Sequence, residues 1–263
     1  MITGSAPACA LTIAGSDSGG GAGIQADLKT FAALGVHGLS AITAITAQNT
    51  RGVRAMHPVP LKHLRAQLGA LFEDFPITAA KTGMLGDAKT VRCVARELSR
   101  RRPPWTVVDP VMIATSGARL LDREGIRVLR EELIPLADVL TPNLPEAETL
   151  IGGKIRNARE AERTARAMIE LGAKSVLLKG GHARGEDVVD LFVDERGTFE
   201  MRHSRLKIQA HGTGCSLSAA LAGELAKGAT PRIATRRAIR FVQRALANAY
   251  RPGHGELHVL RHR

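Results

Sequence analysis

The chain has 263 residues, of which 44% are hydrophobic and 3% aromatic, and its formal net charge is +12. This length suits a single α/β domain, and a core built from Ala, Val, Leu and Ile suits a sheet covered by helices on both faces. The basic residues are spread over the predicted helices, and Trp and Tyr each occur once. Because aromatic platforms for stacking bases are missing, we expect no nucleic-acid partner and a general attraction for anionic substrates.

The three cysteines, Cys9, Cys93 and Cys215, are far apart in the sequence. Their odd number and wide spacing favour neither a disulfide framework nor a metal site, and are typical of a reducing compartment. The N-terminus has no basic segment followed by an apolar one, and the longest apolar stretch, residues 32–47, is too short to cross a bilayer. We therefore expect a cytoplasmic protein without membrane contacts.

A buried strand is predicted at residues 10–15, followed by a Gly-rich turn at 16–23 and a helix at 24–34. Such a layout is typical of nucleotide- and phosphate-binding loops. The turn lacks the Gly-Lys-Ser/Thr ending of a Walker loop, and no Asp or Glu occurs between Asp27 and Glu73 to hold the ribose of a dinucleotide. The turn therefore predicts close approach of a small ligand to the backbone, with a plain connection as the alternative.

Repeated strand–helix units follow along the rest of the chain. They predict a mostly parallel sheet with helices on both faces, formed by one domain over residues 1–263. The predicted strands are 38–47, 77–81, 105–108, 137–140 and 175–178, with a hairpin over 188–202, and the predicted helices are 61–72, 88–98, 120–134, 156–171 and 231–249. A polar loop is predicted at 48–52.

Polar and sulfur-containing residues recur where the predicted strands end, at the sheet edge where open α/β sheets bind ligands. Carboxylates of Asp109 and Glu146 are suited to hold Mg²⁺ through waters, and Lys179 is suited to contact a phosphate. Each residue alone could be a cap or a surface charge, but together they indicate phosphoryl transfer. The set comprises Asp17, Gln48, Met84, Asp109, Asn143, Glu146, Lys179 and Cys215.

The segment His211-Gly-Thr-Gly-Cys215 precedes a strong helix-forming sequence. Its glycines free the backbone to turn, and the unpaired N–H groups of the helix that follows favour an anion, most naturally a phosphate. At that position we expect the pKa of the Cys215 thiol to be lowered, so that the thiolate accepts a proton from an attacking hydroxyl. The alternative is a plain turn with a small buried cysteine at the start of a helix.

Six segments, in order along nearly the whole chain, carry a family pattern: AGSDSGGGAGIQADLKT (14–30), AQNTRGV (47–53), KTGML (81–85), TPNLPEA (141–147), KGGH (179–182) and HGTGC (211–215). Together with Gly-His-Gly at 253–255, they resemble the hydroxymethylpyrimidine/phosphomethylpyrimidine kinases of thiamine biosynthesis. The resemblance implies a ribokinase-like α/β fold of three layers, with a mainly parallel central sheet flanked by helices. It also implies ATP and Mg²⁺ as cofactors, and a homodimer.

The implied activity is phosphorylation of 4-amino-5-hydroxymethyl-2-methylpyrimidine and then of its monophosphate. A pyridoxal kinase on the same scaffold is the alternative enzyme. A third reading is a ligand-binding regulatory or RNA-associated protein that has kept the fold and lost catalysis. Related sugar kinases carry Asp where Cys215 stands, which favours the pyrimidine branch or its pyridoxal-kinase cousins.

The resemblance also assigns roles to particular residues. Those expected to bind the pyrimidine are Gly15, Asp27, Gln48, Met84 and Val111. The catalytic set is Lys179, Gly212, Gly214 and Cys215, the ATP set is Asn143, Lys179, Thr213 and Gly214, and the metal set is Asp109 and Glu146. The chain departs from the family pattern at Gln209-Ala210, before the Gly-Thr-Gly loop, and at Ile239-Arg240, near where many members place a Lys close to the adenine.

Overall fold

A computed structural model describes residues 6–113, 117, 120–182, 185–206 and 208–263. Within these residues, nine strands form one sheet and two short strands form a second. The strands are β1 (Cys9–Asp17), β2 (His37–Asn49), β3 (Gly52–Pro58), β4 (Ile77–Thr82), β5 (Trp105–Val108), β6 (Val139–Leu140), β7 (Val176–Leu178), β8 (Asp187–Asp194), β9 (Gly197–Ser204), β10 (Ala210–His211) and β11 (His258–Val259). The α-helices are α1 (Gly23–Ala33), α2 (Leu61–Asp74), α3 (Ala88–Arg101), α4 (Arg123–Val128), α5 (Leu144–Ile151), α6 (Ala158–Glu170), α7 (Thr213–Ala226) and α8 (Pro231–Ala247).

The large sheet is mainly parallel, as the sequence predicts. Its strand order is β3-β2-β1-β4-β5-β6-β7-β8-β9. The six strands from β2 to β7 run parallel to one another, and β3, β8 and β9 are antiparallel to their neighbours. Parallel strands end at one edge, so the polar residues that follow them meet there.

Side chains that alternate along the strands build two cores, one on each face of the sheet. On β1, Leu11 and Ile13 belong to the core that α2 and α3 cover, whereas Ala10 belongs to the core with α1, α7 and α8. Each fully buried Leu or Ile contributes about 1.5–3 kcal/mol to folding. The result is the expected three-layer α/β architecture. No helix in the described part of the chain has the length and apolarity needed to cross a membrane.

Two stretches of the chain differ from the sequence prediction, and the short strands β10 and β11 were not predicted. The predicted polar loop at 48–52 is a tight turn between β2 and β3, and β3 was not predicted because its side chains are all at least partly exposed. The helix predicted over 120–134 is divided into α4, a π-helical turn (Leu129–Leu133) and a 3₁₀ turn (Ile134–Leu136). Pro135 has no N–H to continue an α-helix, so the chain leaves the helix there.

Candidate active site

A cavity of about 710 Å³ lies along the edge where the parallel strands end. It is lined by Gly15, Gln48, Met84, Asp109, Val111, Asn143, Glu146, Lys179, Gly212, Thr213, Gly214 and Cys215, among others. The structure thus brings together every residue that the sequence assigns to a site, except Asp27. The lining residues are distributed along the cavity in the order of the strands. Those on or just after β1, β2 and β4 lie at one end, and those on or just after β7, β8 and β9 lie at the other.

The Gly-Thr-Gly loop starts α7 and exposes its first N–H groups to the cavity. Gly212 is the N-cap and has φ +79°, and a Cβ at this position would lie 1.9 Å from the carbonyl oxygen of Gly21. Gly214 has no positive φ, and a Cβ there would lie 3.4 Å from Nζ of Lys179. Only the first glycine is therefore needed for the turn, while the second keeps space beside the lysine.

Cys215 lines the cavity and is half-buried. Burial raises the pKa of its thiol to about 11, because the lowering effect of the Lys81 charge is opposed by Asp27 and Asp109. The expectation of a lowered pKa is therefore wrong for the ligand-free protein. A helix N-terminus stabilises a thiolate by a modest amount, and desolvation outweighs it here.

Asp27 does not line the cavity, so its predicted contact with the substrate is not seen. Its carboxylate is fully buried and 2.8 Å from Nζ of Lys81, which is also fully buried, and it accepts a hydrogen bond of 2.6 Å from Thr12. Burial lowers the pKa of Lys81, but the charges of Asp27, Cys215 and Asp109 raise it above its ordinary value. Lys81 itself lines the cavity. The only charged residue in an otherwise uncharged strand was the signal that could have identified it.

Asp109 and Lys179 form a second ion pair in the cavity wall. Lys179 Nζ is 2.8 Å from Oδ1 of Asp109, and Ser218 donates to Oδ2 at 3.1 Å. The carboxylate is 2% exposed. The Asp109 carboxylate is therefore held in place by Ser218 of α7 and by Lys179, which follows β7. The ammonium group of Lys179 lies between this carboxylate and the Gly-Thr-Gly loop.

Asn143 and Glu146 form a capping box at the start of α5. The Asn143 side chain accepts from the Glu146 amide at 2.9 Å, and the Glu146 carboxylate accepts from the Asn143 amide at 2.8 Å. This reciprocal arrangement satisfies two N–H groups of the first helical turn. Burial raises the pKa of Glu146 to about 7, against the lowering effect of Lys179 and with a further raising effect of Asp109.

A cluster around Gln48 occupies the β1–β2 end. A bulge in the β2–β3 pairing falls between Ala47 and Gln48, and bulges commonly re-aim a side chain. Gln48 Nε2 is 2.7 Å from Nε2 of His211, which is 3.2 Å from Oδ2 of Asp17. Sequence analysis placed His211 in a motif without giving its side chain a role, since contacts across 163 residues leave no local signal.

The far end of the cavity is lined by the β8–β9 hairpin and by α8. Among the lining residues are Val188, Asp190, His203, Ile239, Val242 and Gln243. Of the two residues at the departure in the last helix, Ile239 lines the cavity and is buried. Arg240 is exposed and is not part of the lining, so only the apolar residue of this pair faces the cavity and the basic residue lies on the solvent side of α8.

The chain is similar to known proteins over nearly its whole length. A family model described as phosphomethylpyrimidine kinase matches residues 17–260. The chain is 49% identical over 252 residues to the hydroxymethylpyrimidine/phosphomethylpyrimidine kinase of Haemophilus influenzae, with 93% of each protein covered. It is 48% identical over 254 residues to a thiamine biosynthesis bifunctional protein of Geobacter sulfurreducens, and spans 52% of that longer relative.

Solved structures show the same architecture. A phosphomethylpyrimidine kinase from Clostridium difficile 630 superposes with a TM-score of 0.82 at 43% identity, covering 91% of this chain and 99% of that one. A pyridoxal kinase from Staphylococcus aureus in complex with AMP-PCP and pyridoxal superposes with a TM-score of 0.90 at 32% identity, covering 98% and 94%. The ribokinase-like fold expected from the six segments is confirmed, and the chain belongs to the phosphomethylpyrimidine kinase family.

Proposed function

We propose that the chain uses ATP to phosphorylate 4-amino-5-hydroxymethyl-2-methylpyrimidine and then its monophosphate. The observation that carries this proposal is one continuous cavity that joins Gln48, the Gly212–Cys215 loop and the Asp109–Lys179 pair. A phosphoryl acceptor, an anion-binding loop and a cation for phosphates are the parts that phosphoryl transfer requires. Relatives of similar length carry the name of this activity.

The Gly-Thr-Gly loop is suited to stabilise the transferred phosphoryl group. Backbone N–H groups at the start of α7 are oriented before the reaction, so they stabilise developing negative charge without reorganisation. Lys179, close to Gly214, adds a positive charge. Its pKa is raised by Asp109 and Glu146 in spite of burial, so the lysine stays charged at neutral pH.

Cys215 is proposed as the base that accepts the proton of the substrate hydroxyl. In that step the hydroxyl oxygen forms a bond to phosphorus, the bond to the ADP oxygen breaks, and the proton moves to the cysteine sulfur. Only a thiolate can accept this proton, whereas the buried thiol is protonated at neutral pH. The charge of Lys81 lowers the pKa of Cys215, so we assign this lysine the role of stabilising the thiolate.

ATP binding is supported by the AMP-PCP complex of the Staphylococcus aureus neighbour. Asn143 and Thr213, which we propose to contact ATP, both line the cavity. The site also fits Mg²⁺. The carboxylates of Asp109 and Glu146 both line the cavity, and Mg²⁺ is commonly bound by one or two carboxylates, waters and substrate phosphates. Among the described residues, no cluster of three or more metal-ligating side chains is present. The ion, when bound, would neutralise phosphate charge.

We further propose a cytoplasmic homodimer formed by single-domain protomers. The described cysteines are all free, which agrees with a reducing compartment, and nine of the eleven described strands form one sheet. Sedimentation equilibrium tests the dimer, and a single thermal transition tests the single domain. A monomeric mass or two separate transitions would contradict these assignments.

A pyridoxal kinase is the second candidate, because the Staphylococcus aureus neighbour was solved with pyridoxal. A coupled ADP-release assay with hydroxymethylpyrimidine, its monophosphate and pyridoxal separates the two. We expect the highest kcat/KM with the two pyrimidines. A higher kcat/KM with pyridoxal would support the alternative, and no ADP release with any of the three would reject both enzymes.

A further inference from the structure

Three side chains next to Gln48 decide which way its amide is turned. Nε2 of Gln48 is 2.7 Å from Nε2 of His211, and Oε1 of Gln48 is 3.3 Å from Oγ1 of Thr46. The oxygen and nitrogen of an amide have nearly the same shape, so the hydrogen-bonding partners determine their placement. The cavity also contacts both neighbours, so the orientation of this amide matters for any ligand bound there.

Thr46 requires the amide nitrogen. Its hydroxyl has a single hydrogen, and Oγ1 is 2.9 Å from the carbonyl oxygen of Ser16, which can only accept. The hydrogen is therefore donated to Ser16. Toward Gln48 the same hydroxyl can only accept, and the group on Gln48 that donates is the nitrogen.

His211 requires the amide oxygen. Its Nε2 is 3.2 Å from Oδ2 of Asp17, a carboxylate that also accepts from the backbone N–H groups of Gly19, Gly21 and Ala22. Burial raises the pKa of Asp17, but these hydrogen bonds, that of His211 first, hold it below its ordinary value. A bond to an ionised acceptor is the stronger one, so Nε2 of His211 carries a proton. Its single hydrogen lies between Asp17 and Gln48, and a protonated ring nitrogen cannot accept a hydrogen bond. The Gln48 amide must therefore offer its oxygen.

We infer that Asp17, His211 and Thr46 hold the Gln48 amide with its oxygen toward His211 and its nitrogen toward Thr46, and that this orientation selects the substrate. One amide hydrogen and one oxygen lone pair remain for a ligand. A 4-aminopyrimidine carries an amine donor beside a ring-nitrogen acceptor. Its amine can donate to the amide oxygen while its ring nitrogen accepts from the amide N–H, and this match requires one orientation of the amide. Pyridoxal has no amine on its ring, so the same amide discriminates against it. The inference rests on the proposed function, and it makes Asp17, His211 and Thr46 positioning residues.

Histidine NMR tests the amide orientation without any substrate. The chain has nine histidines, and the spectrum of a His211→Gln variant identifies the resonances of His211 in the ¹⁵N-labelled wild type. At pH 8 we expect a protonated Nε2 on His211. An unprotonated Nε2 would overturn the inference, because that nitrogen would then accept from the Gln48 amide.

Kinetics of Thr46→Val test the effect on the substrate, since this residue lies outside the phosphate loop. Losing one such hydrogen bond is expected to raise KM for hydroxymethylpyrimidine about tenfold, or about 1.4 kcal/mol, with KM for ATP changed less than twofold. Thr46→Ser keeps the hydroxyl and should restore a KM within about twofold of the wild type. Thr198→Val makes the same chemical change on β9, where Thr198 bonds Glu162 outside the cavity lining, and should leave both constants unchanged.

An unaltered ratio of kcat/KM between hydroxymethylpyrimidine and pyridoxal in Thr46→Val would overturn substrate selection by the amide. Equal increases in KM for ATP and the pyrimidine would do so as well, since they indicate a general structural defect. If the wild-type protein phosphorylates no pyrimidine, the proposed function fails. The histidine spectrum then still decides whether the amide is held as inferred, so the two failures are distinguishable.

Discussion

At Cys215, burial and the proposed chemistry make opposite demands on one proton. The base must be a thiolate, whereas burial raises the pKa of the thiol to about 11. Below this value the thiolate fraction grows about tenfold per pH unit. We therefore expect kcat/KM for the pyrimidine, measured at saturating ATP, to rise continuously from pH 7 to pH 10, because this parameter reports ionisation of the free enzyme. A plateau reached below pH 8 would contradict the pKa.

Substitutions at the same position separate the base from the anion-binding loop. Cys215→Ala should lower kcat by about 10²–10⁴, the usual loss for a missing general base, with KM for ATP nearly unchanged. Cys215→Asp should retain part of the activity with a flatter pH profile, since a carboxylate is ionised over this range. Cys93→Ser, at a buried cysteine of the core under α3, is the control. Wild-type activity of Cys215→Ala would reject the proposed role.

Glu146, which we propose as a ligand of Mg²⁺, is a buried carboxylate that lowers the stability of the metal-free protein. Burial raises its pKa from 4.5 to about 7, so the folded state favours the protonated form, and stability falls as the pH rises from 4.5 through 7. Glu146→Gln keeps an acceptor oxygen for the Asn143 amide. In metal-free buffer at pH 8 it should be more stable than the wild type by on the order of 1–3 kcal/mol, with little difference at pH 4.5.

Thermal unfolding at both pH values measures this difference, and the ADP-release assay should show a lower kcat for Glu146→Gln because the proposed metal set loses a carboxylate. Asn143→Ser is a useful comparison, since a serine N-cap preserves helix capping. Its stability should stay within about 0.5 kcal/mol of the wild type at either pH. If Glu146→Gln is less stable than the wild type at pH 8, ionisation of the Glu146 carboxylate does not destabilise the folded state, which would contradict its raised pKa.

Among the elements, the connection from β10 to α7 has the least tolerance for change. Gly212→Ala adds a Cβ to a left-handed residue 1.9 Å from the backbone of Gly21, so the loop must move. We expect kcat to fall by at least about 100-fold, the scale of one lost oxyanion donor. Gly228→Ala is the matched control, with φ +89° and open space around its Cβ. It should cost about 1–2 kcal/mol of stability, from the left-handed backbone alone, and retain activity. Equal activity in the two variants would exclude a special role for the loop.

The same elements show what the sequence could and could not predict. Periodicity identified the buried strands and the helices between them, because each has an apolar face. The edge strand β3 lacks one. Motif residues at strand ends were assigned correctly to the cavity lining, since parallel strands bring their carboxyl ends to one edge. Asp27 was misplaced because a motif gives no side-chain direction, and its buried partner Lys81 is distant in sequence. The thiol pKa was missed because desolvation depends on packing.

For the whole molecule, one sheet carries two kinds of chemistry along a single edge. The strands β2 and β1 bring Gln48 and Asp17 to the polar cluster, and β5, β6 and β7 lead to the groups that we propose for phosphates. Antiparallel β8 and β9 extend the sheet beyond them and line the far end. The proposed substrate recognition and the proposed phosphoryl transfer are therefore separated by strand position, and they meet at the first turn of α7, which contains Cys215.

The net charge of +12 acts on this layout at long range. A positive protein attracts an anion and is indifferent to a neutral molecule, and salt screens the attraction over about 8–10 Å. At saturating ATP, raising the salt from about 20 to about 300 mM should lower kcat/KM for the pyrimidine monophosphate about 3–10-fold and leave that for the neutral alcohol within about twofold. Sucrose of equal osmolality is the control, since it screens no charge. If both substrates lost the same factor, the salt would be acting on the fold or on ATP, and the basic surface would have no part in attracting the anionic substrate.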